Sequence, residues 1–172
     1  DNRNDVMVRG GGAMETAGLM HLAVMLPEFK DATLWRQTAR ERLVEMQRTL
    51  VYPDGAEIEL TPGYHWVTLN NFLSVLDVTR RNQVELPAAF VTGLEKMFEY
   101  FVAIAMPDGS EPALNDSGWM AVSRPLQEGL ELFPQRSDFE FFASDRKRGM
   151  PPAKTSWALP YAGCFAMRTG WK

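Results

Sequence analysis

A chain of 172 residues is long enough for about one domain with a sizeable core. With 45% hydrophobic and 23% charged residues it has the balance of an ordinary globular protein, and a formal net charge of −4 gives no electrostatic case for nucleic acid or an anionic membrane as partner. One cysteine, Cys164, excludes an intrachain disulfide framework and a zinc-ribbon site and leaves the redox compartment open.

The chain opens on Asp rather than Met, which reads as the start of a processed or excised piece. Residues 1–12 are polar and end in Gly10, Gly11 and Gly12; the expectation is a flexible lead or a remnant, with no signal-peptide pattern. Residues 13–26 are apolar on almost every side and too short to span a bilayer, so they predict a helix buried within a larger assembly, with His21 as a core residue. Pro27 stops it. A second helix is expected over 31–50, with Asp31 as its cap and Trp35, Ala39, Leu43, Met46 and Leu50 at spacings of three and four.

Residues 52–65 form the polar stretch on which the reading turns. Pro53, Asp54 and Gly55 are a turn signal. Thr61 suits an N-cap and Pro62 the first helical position, where no N–H is needed. Tyr64 and His65 then fall in the first turn of a third helix, 62–80, beside unpaired backbone donors and the positive end of the dipole. A phenol and an imidazole facing a carboxylate-rich loop suit acid–base chemistry; a polar loop closed by a capped helix is the plainer alternative. Glu57 and Glu59 read as loop-stabilising hydrogen-bond acceptors.

The third helix carries Trp66, Leu69, Leu73 and Leu76 on one face. After a connection at 81–86, Leu86 and Pro87 open a fourth, with Phe90, Leu94, Met97, Phe101 and Ile104 as its stripe. Pro107, Asp108 and Gly109 end it and begin a second long loop, 107–118, which holds Asn115, Asp116, Ser117 and Gly118. A fifth helix is expected within 119–133, a short Phe-rich one over 137–144, a solvated basic loop at Arg146 to Gly149, and short strands at 157–159 and 163–167. Helices joined by modest loops pack antiparallel. That places the segment before helix one, loop 51–61 and loop 107–118 on one side, with connections 27–30 and 81–86 on the other.

Four pieces in this order carry a family resemblance: Leu26 to Phe29; Asp54 and Gly55 through Glu59 to Pro62, Gly63, Tyr64 and His65; Pro107 to Gly109 with Asn115, Asp116 and Ser117; and Ala162 and Gly163 through Met167 to Trp171. From about Glu15 to Trp171 the chain resembles the heparinase II/III and alginate lyase superfamily of polysaccharide lyases. The resemblance implies a mainly α fold, made of antiparallel helical hairpins of an incomplete α/α toroid with a short β segment at the C-terminus. The division expected is a lead at 1–12, a partial toroid at 13–150, and the start of a truncated β-sandwich at 151–172. It also implies β-elimination at a uronic acid of an acidic polysaccharide, with no cofactor and no metal. Tyr64 takes the position of the family's general acid, which also serves as a candidate base; His65, Asn115 and Asp116 are the candidate substrate-binding residues. For His65 a structural first-turn role is the stronger reading, and Asn115 and Asp116 equally suit Asx turns.

Two features depart from the family pattern. The residue that neutralises the substrate carboxylate aligns with Gly10 and Gly11, which have no side chain for the task. The family's second His, a base from the β-sandwich, would lie beyond Lys172. The expectation is therefore an inactive fragment of an active parent, periplasmic or secreted rather than cytoplasmic, open to self-association through exposed apolar helix faces. The alternatives are a non-catalytic glycan-binding toroid and a glycosidase using two carboxylates such as Asp54 and Asp116.

Overall fold

The structure, a computed structural model, describes residues 11–171. The expected lead at 1–10, including Gly10, lies outside the described residues; Gly11 and Gly12 stand in the first turn of a helix. Six helices are present among the described residues: α1 (Gly11–Met25), α2 (Ala32–Leu50), α3 (Pro62–Arg81), α4 (Ala88–Ile104), α5 (Ser123–Leu132) and α6 (Ser137–Ala143). Strands β1 (Trp157–Leu159) and β2 (Cys164–Ala166) pair antiparallel, with Ala158 opposite Phe165. None of these helices is long and apolar enough to cross a membrane.

The chain divides into two compact units, residues 1–51 with 67–94 and residues 52–66 with 95–172. In the first, α1 packs on α2, and of the stripe expected on α2 Ala39, Leu43, Met46 and Leu50 are buried while Trp35 is only half-buried. Ala13, Ala17, Met20 and Ala23 face inward from α1, while Met14 and Met25 are more than half exposed, so the helix that is apolar all round buries only one side within this chain. Asp31 precedes α2 as expected but makes no side-chain capping bond. Later in the unit the rings of Phe72 and Phe90 meet edge-on at 5.5 Å, both fully buried. Gln47 donates to the Phe90 carbonyl (2.9 Å), an approach that only a residue without a Cβ at Gly93 leaves open.

The second unit packs the start of α3 and the end of α4 with α5, α6 and the hairpin. Its core is aromatic: Trp66, Phe98, Phe101, Phe133, Phe139 and Phe142 are all buried. Low-numbered residues of α3 meet high-numbered residues of α4 here, as His65 with Phe101 shows, so the two helices run antiparallel. Arg136 binds Glu95, Glu99 and Asp138 at 2.7–2.9 Å and lies over the Phe139 ring. Burial works against its charge, but the three carboxylates outweigh that and raise its pKa. The hairpin is fastened by Asp54, whose Oδ2 accepts the Tyr161 and Ala162 amides at 2.9 and 3.1 Å. Arg168 holds the end of α4 by donating to the carbonyls of Ala105 (2.6 Å) and Ala103.

Candidate active site

The two long loops expected at one mouth meet in the second unit. The first folds back on itself through Tyr52, whose amide donates to the Ala56 carbonyl (2.8 Å), with Gly55 at φ +88° inside the turn. A Cβ on Gly55 would overlap the Lys96 carbonyl, so the turn lies flat against α4 only because that residue is glycine. The second loop begins with Asp108, which accepts the amide and hydroxyl of Ser110 at 2.9 and 2.6 Å. Ser110 then pairs with Ala121 and Glu111 with Met120, so residues 112–119 project from a closed base.

Three bonds join that projection to the first turn of α3 and to Leu60 just before it. Asn115 Nδ2 donates to the Leu60 carbonyl (2.8 Å). Ser117 Oγ accepts the Gly63 amide (3.1 Å), and the Tyr64 hydroxyl donates to Asp116 Oδ2 (2.9 Å). Thr61, expected as the N-cap, turns its hydroxyl to the Glu59 carbonyl instead, and the orphan amide of Gly63 is taken by a serine from a distant segment.

Tyr64 is 44% exposed and points its phenol into this junction. The hydrogen bond to Asp116, the Asp116 charge, burial and the Glu59 charge all raise the phenol's pKa, so the proton stays on oxygen. The phenol therefore carries a proton available for donation, as a weaker acid than a free tyrosine.

His65 is oriented differently. It is buried, its Nδ1 accepts the Glu57 amide (3.2 Å), and its Nε2 donates to the Met97 carbonyl (2.9 Å). Its ring packs on Tyr100 at 4.4 Å. Both nitrogens are used within the protein, and burial lowers the pKa to about 4, so the imidazole is neutral and ties loop, α3 and α4 together. Asn115 likewise spends its side-chain N–H on the loop and occupies the left-handed region at φ 52°, where Asn is tolerated. Of the four residues singled out from the sequence, Tyr64 and Asp116 are joined directly, Asn115 braces them, and His65 lies behind them.

Two buried carboxyls belong to the same two loops. Glu57 accepts the Glu59 amide (3.0 Å), the loop-stabilising role expected of it, and burial pushes its pKa up to about 7. Glu111 is fully buried with neither oxygen hydrogen-bonded, and burial likewise pushes it up to about 7, with the Ser117 hydroxyl working against the shift. Sequence reasoning missed Glu111 and the tie made by Ser117; a charged residue two positions after the Asp108–Gly109 turn was the only signal available for the former. Among the described residues, no group of three or more His, Cys, Asp or Glu side chains is placed to hold a metal ion.

Residues 12–141 match the family model described as the heparinase II/III N-terminus. This chain belongs to the heparinase II/III family. It is 33% identical over 154 residues to the heparin-sulfate lyase of Pedobacter heparinus, covering 86% of this chain and 23% of that protein. To the heparin-sulfate lyase of Bacteroides stercoris it is 27% identical, covering 91% of this chain and 24% of the relative. Among solved structures, heparan sulfate lyase HepC from Pedobacter heparinus superposes with a TM-score of 0.79 at 31% identity, over 91% of this chain and 25% of that one. A heparinase III crystal structure superposes over 97% of this chain and 29% of its own, at TM-score 0.86 and 22% identity, a likeness of fold alone. The heparinase II/III chain described here therefore spans about a quarter of the length of these relatives. Its fold class is the one the resemblance implies, mainly α, in antiparallel helical hairpins of an incomplete α/α toroid with a short β segment near the C-terminus.

Proposed function

We propose that this chain supplies the general acid of a polysaccharide lyase that cleaves a uronate-containing glycan, heparan sulfate first among the trial substrates, by β-elimination. The observation that carries the reading is the Tyr64 phenol, exposed at the junction of two loops and held protonated by Asp116. In such a reaction the C5–H bond breaks, its electrons form the C4–C5 double bond, and the C4–O bond to the leaving sugar breaks with a proton delivered to that oxygen. Tyr64 is the donor of that proton. Asp116 orients the phenol through their hydrogen bond and holds it in the protonated form that the acid role needs. Asn115 and Ser117 hold Asp116 in place, and His65 fixes the turn from behind. The group that neutralises the substrate carboxylate and the base that takes the C5 proton come from other parts of the full-length protein. On this reading β1 and β2 open its β-sandwich.

The two-carboxylate alternative loses support because Asp54 is committed to the hairpin amides and its other oxygen is buried. The test is absorbance of the new double bond, with heparan sulfate, alginate and hyaluronan offered to the full-length protein. Tyr64→Phe is expected to lower turnover by about 10²–10⁴-fold, the scale of a positioned acid, with glycan binding retained. Turnover at the parental rate would remove Tyr64 from the chemistry; new reducing ends without a double bond would mean hydrolysis. Asp116→Asn should bring the phenol pKa down towards its ordinary value, read by phenolate absorbance against a Tyr64→Phe blank. An unchanged titration would show that Asp116 does not act on the phenol.

A further inference from the structure

The projection 112–119 ends in a residue that nothing above uses. Trp119 is 71% exposed, although it stands directly beside the pinned backbone of Met120 and Ala121. Among the described residues no aromatic ring or cation packs on its indole. A fixed backbone with the largest apolar side chain turned outward presents a flat, preset face.

Beside it lies a cavity of about 110 Å³, lined among others by Asp108, Ser110, Ser123 and Arg146. Its polar groups are already oriented by the chain. Asp108 accepts both bonds from Ser110, and those bonds, with Arg146 adding its charge, hold the carboxyl below the usual range. Arg146 Nη1 donates to the Pro107 carbonyl (2.6 Å). Asp145, also at the cavity, lies 4.0 Å from Lys147. Carboxylates and cations therefore balance here, and the cavity is not an anion trap. An apolar plane edged by fixed hydroxyl, carboxylate and guanidinium groups matches a pyranose, which has one C–H face and a rim of hydroxyls.

The position also fits. Trp119 follows Asp116 by three residues, a span of at most about 11 Å even when extended. That is within the reach of a short oligosaccharide engaged at the Tyr64 phenol. We propose that Trp119 is a stacking platform for a pyranose unit of the glycan, a binding subsite carried by the same loop that sets Asp116 against Tyr64. The proposal rests on the lyase reading of Tyr64 for its ligand, and on the exposed indole and the cavity for its place.

The experiment measures binding apart from chemistry. In the full-length protein carrying Tyr64→Phe, affinity for a size-defined heparan sulfate hexasaccharide is taken by calorimetry, with and without Trp119→Ala or Trp119→Phe. Trp119→Ala should weaken binding about tenfold, the scale of one aromatic stacking contact, and Trp119→Phe should recover most of it. In the protein with Tyr64 intact, the Trp119→Ala loss should fall on KM more than on kcat. Equal affinities across the three forms would overturn the platform. So would an indole that acrylamide cannot quench in the ligand-free protein, judged by comparing the parent with Trp119→Phe, because another part of the molecule would then cover it. The two readings separate cleanly: elimination with Trp119-independent binding removes the platform alone, whereas Trp119-dependent binding without any double bond keeps the platform and removes the lyase.

Discussion

The two ends of α3 are built on opposite plans. At its C-terminal end the chain closes on itself: the Val84 amide returns to the Thr79 carbonyl (2.8 Å), Asn82 Nδ2 reaches Val78 (2.8 Å), and Gln83 turns through φ 58°. Every bond there spans a handful of residues. At the N-terminal end Gly63 and Tyr64 take their partners from Ser117 and Asp116, more than fifty residues along the chain. One end needs only its own sequence, while the other needs a remote loop delivered in register. The end assembled from afar is the one that presents a reactive group.

That contrast can be broken in measurable ways, and the largest effect expected is on pH dependence. His65, at the remote-built end, has a folded pKa of about 4 against an ordinary 6.5, so the unfolded chain binds the extra proton between those values. Its contribution is complete above pH 6.5 and is lost as pH falls towards 4, by up to about 3 kcal/mol. Glu57 and Glu111 act in the opposite sense. Raised to about 7, they remain protonated in the fold where the unfolded chain has already ionised, so their contribution is lost as pH rises from about 4.5 to 7. Denaturant unfolding should therefore show the parent gaining stability as pH falls from 7 towards 4.5. A Glu57→Gln, Glu111→Gln protein should show the reverse, His65's own slope. Parallel curves for the two proteins would mean that the buried carboxyls are not protonated in the fold.

Ser117→Ala tests the remote cap more gently. Leaving the Gly63 amide without its acceptor should cost about 1 kcal/mol, as loss of an N-cap does, seen as a lower denaturation midpoint. Thr61→Ala should cost less, because the Thr61 hydroxyl does not serve that amide; a larger loss from Thr61→Ala would reverse the assignment. The smallest effect belongs to the self-closed end. Gln83→Gly relieves a left-handed glutamine and should raise stability by up to about 1 kcal/mol, with no change in activity on any glycan.

Much of the scaffold was legible because periodicity is local. The spacing of Leu43, Met46 and Leu50, or of Phe90, Leu94 and Met97, places each residue on a buried face without knowledge of the partner. Antiparallel packing of successive helices was enough to bring loop 51–61 beside loop 107–118. What stayed hidden depended on atoms brought together from far apart. No pattern shows that Thr61 would yield its capping role to Ser117, or that Tyr64 and His65, adjacent in sequence, would face opposite ways. That difference follows from helical geometry, since neighbours on a helix lie about 100° apart, so one ring faces the mouth while the other packs on Tyr100 and Phe101.

The bond from Asn115 to Leu60 carries a consequence for the order of folding. Both residues sit at positive φ, 52° and 54°, and for leucine that conformation is costly until something holds it. Their bond closes a loop of fifty-five residues, an entropic debt met only after the intervening helices α3 and α4 have shortened the path. Leu60, the strained one of the pair, is therefore not held in its final conformation until Asn115 reaches it. The mouth is therefore expected to form after α3 and α4 and to open before them. Hydrogen exchange should then find the Gly63 amide released well before the amides of Phe98 and Phe101. Time, as well as distance, separates the place where the chain becomes stable from the place where it becomes reactive.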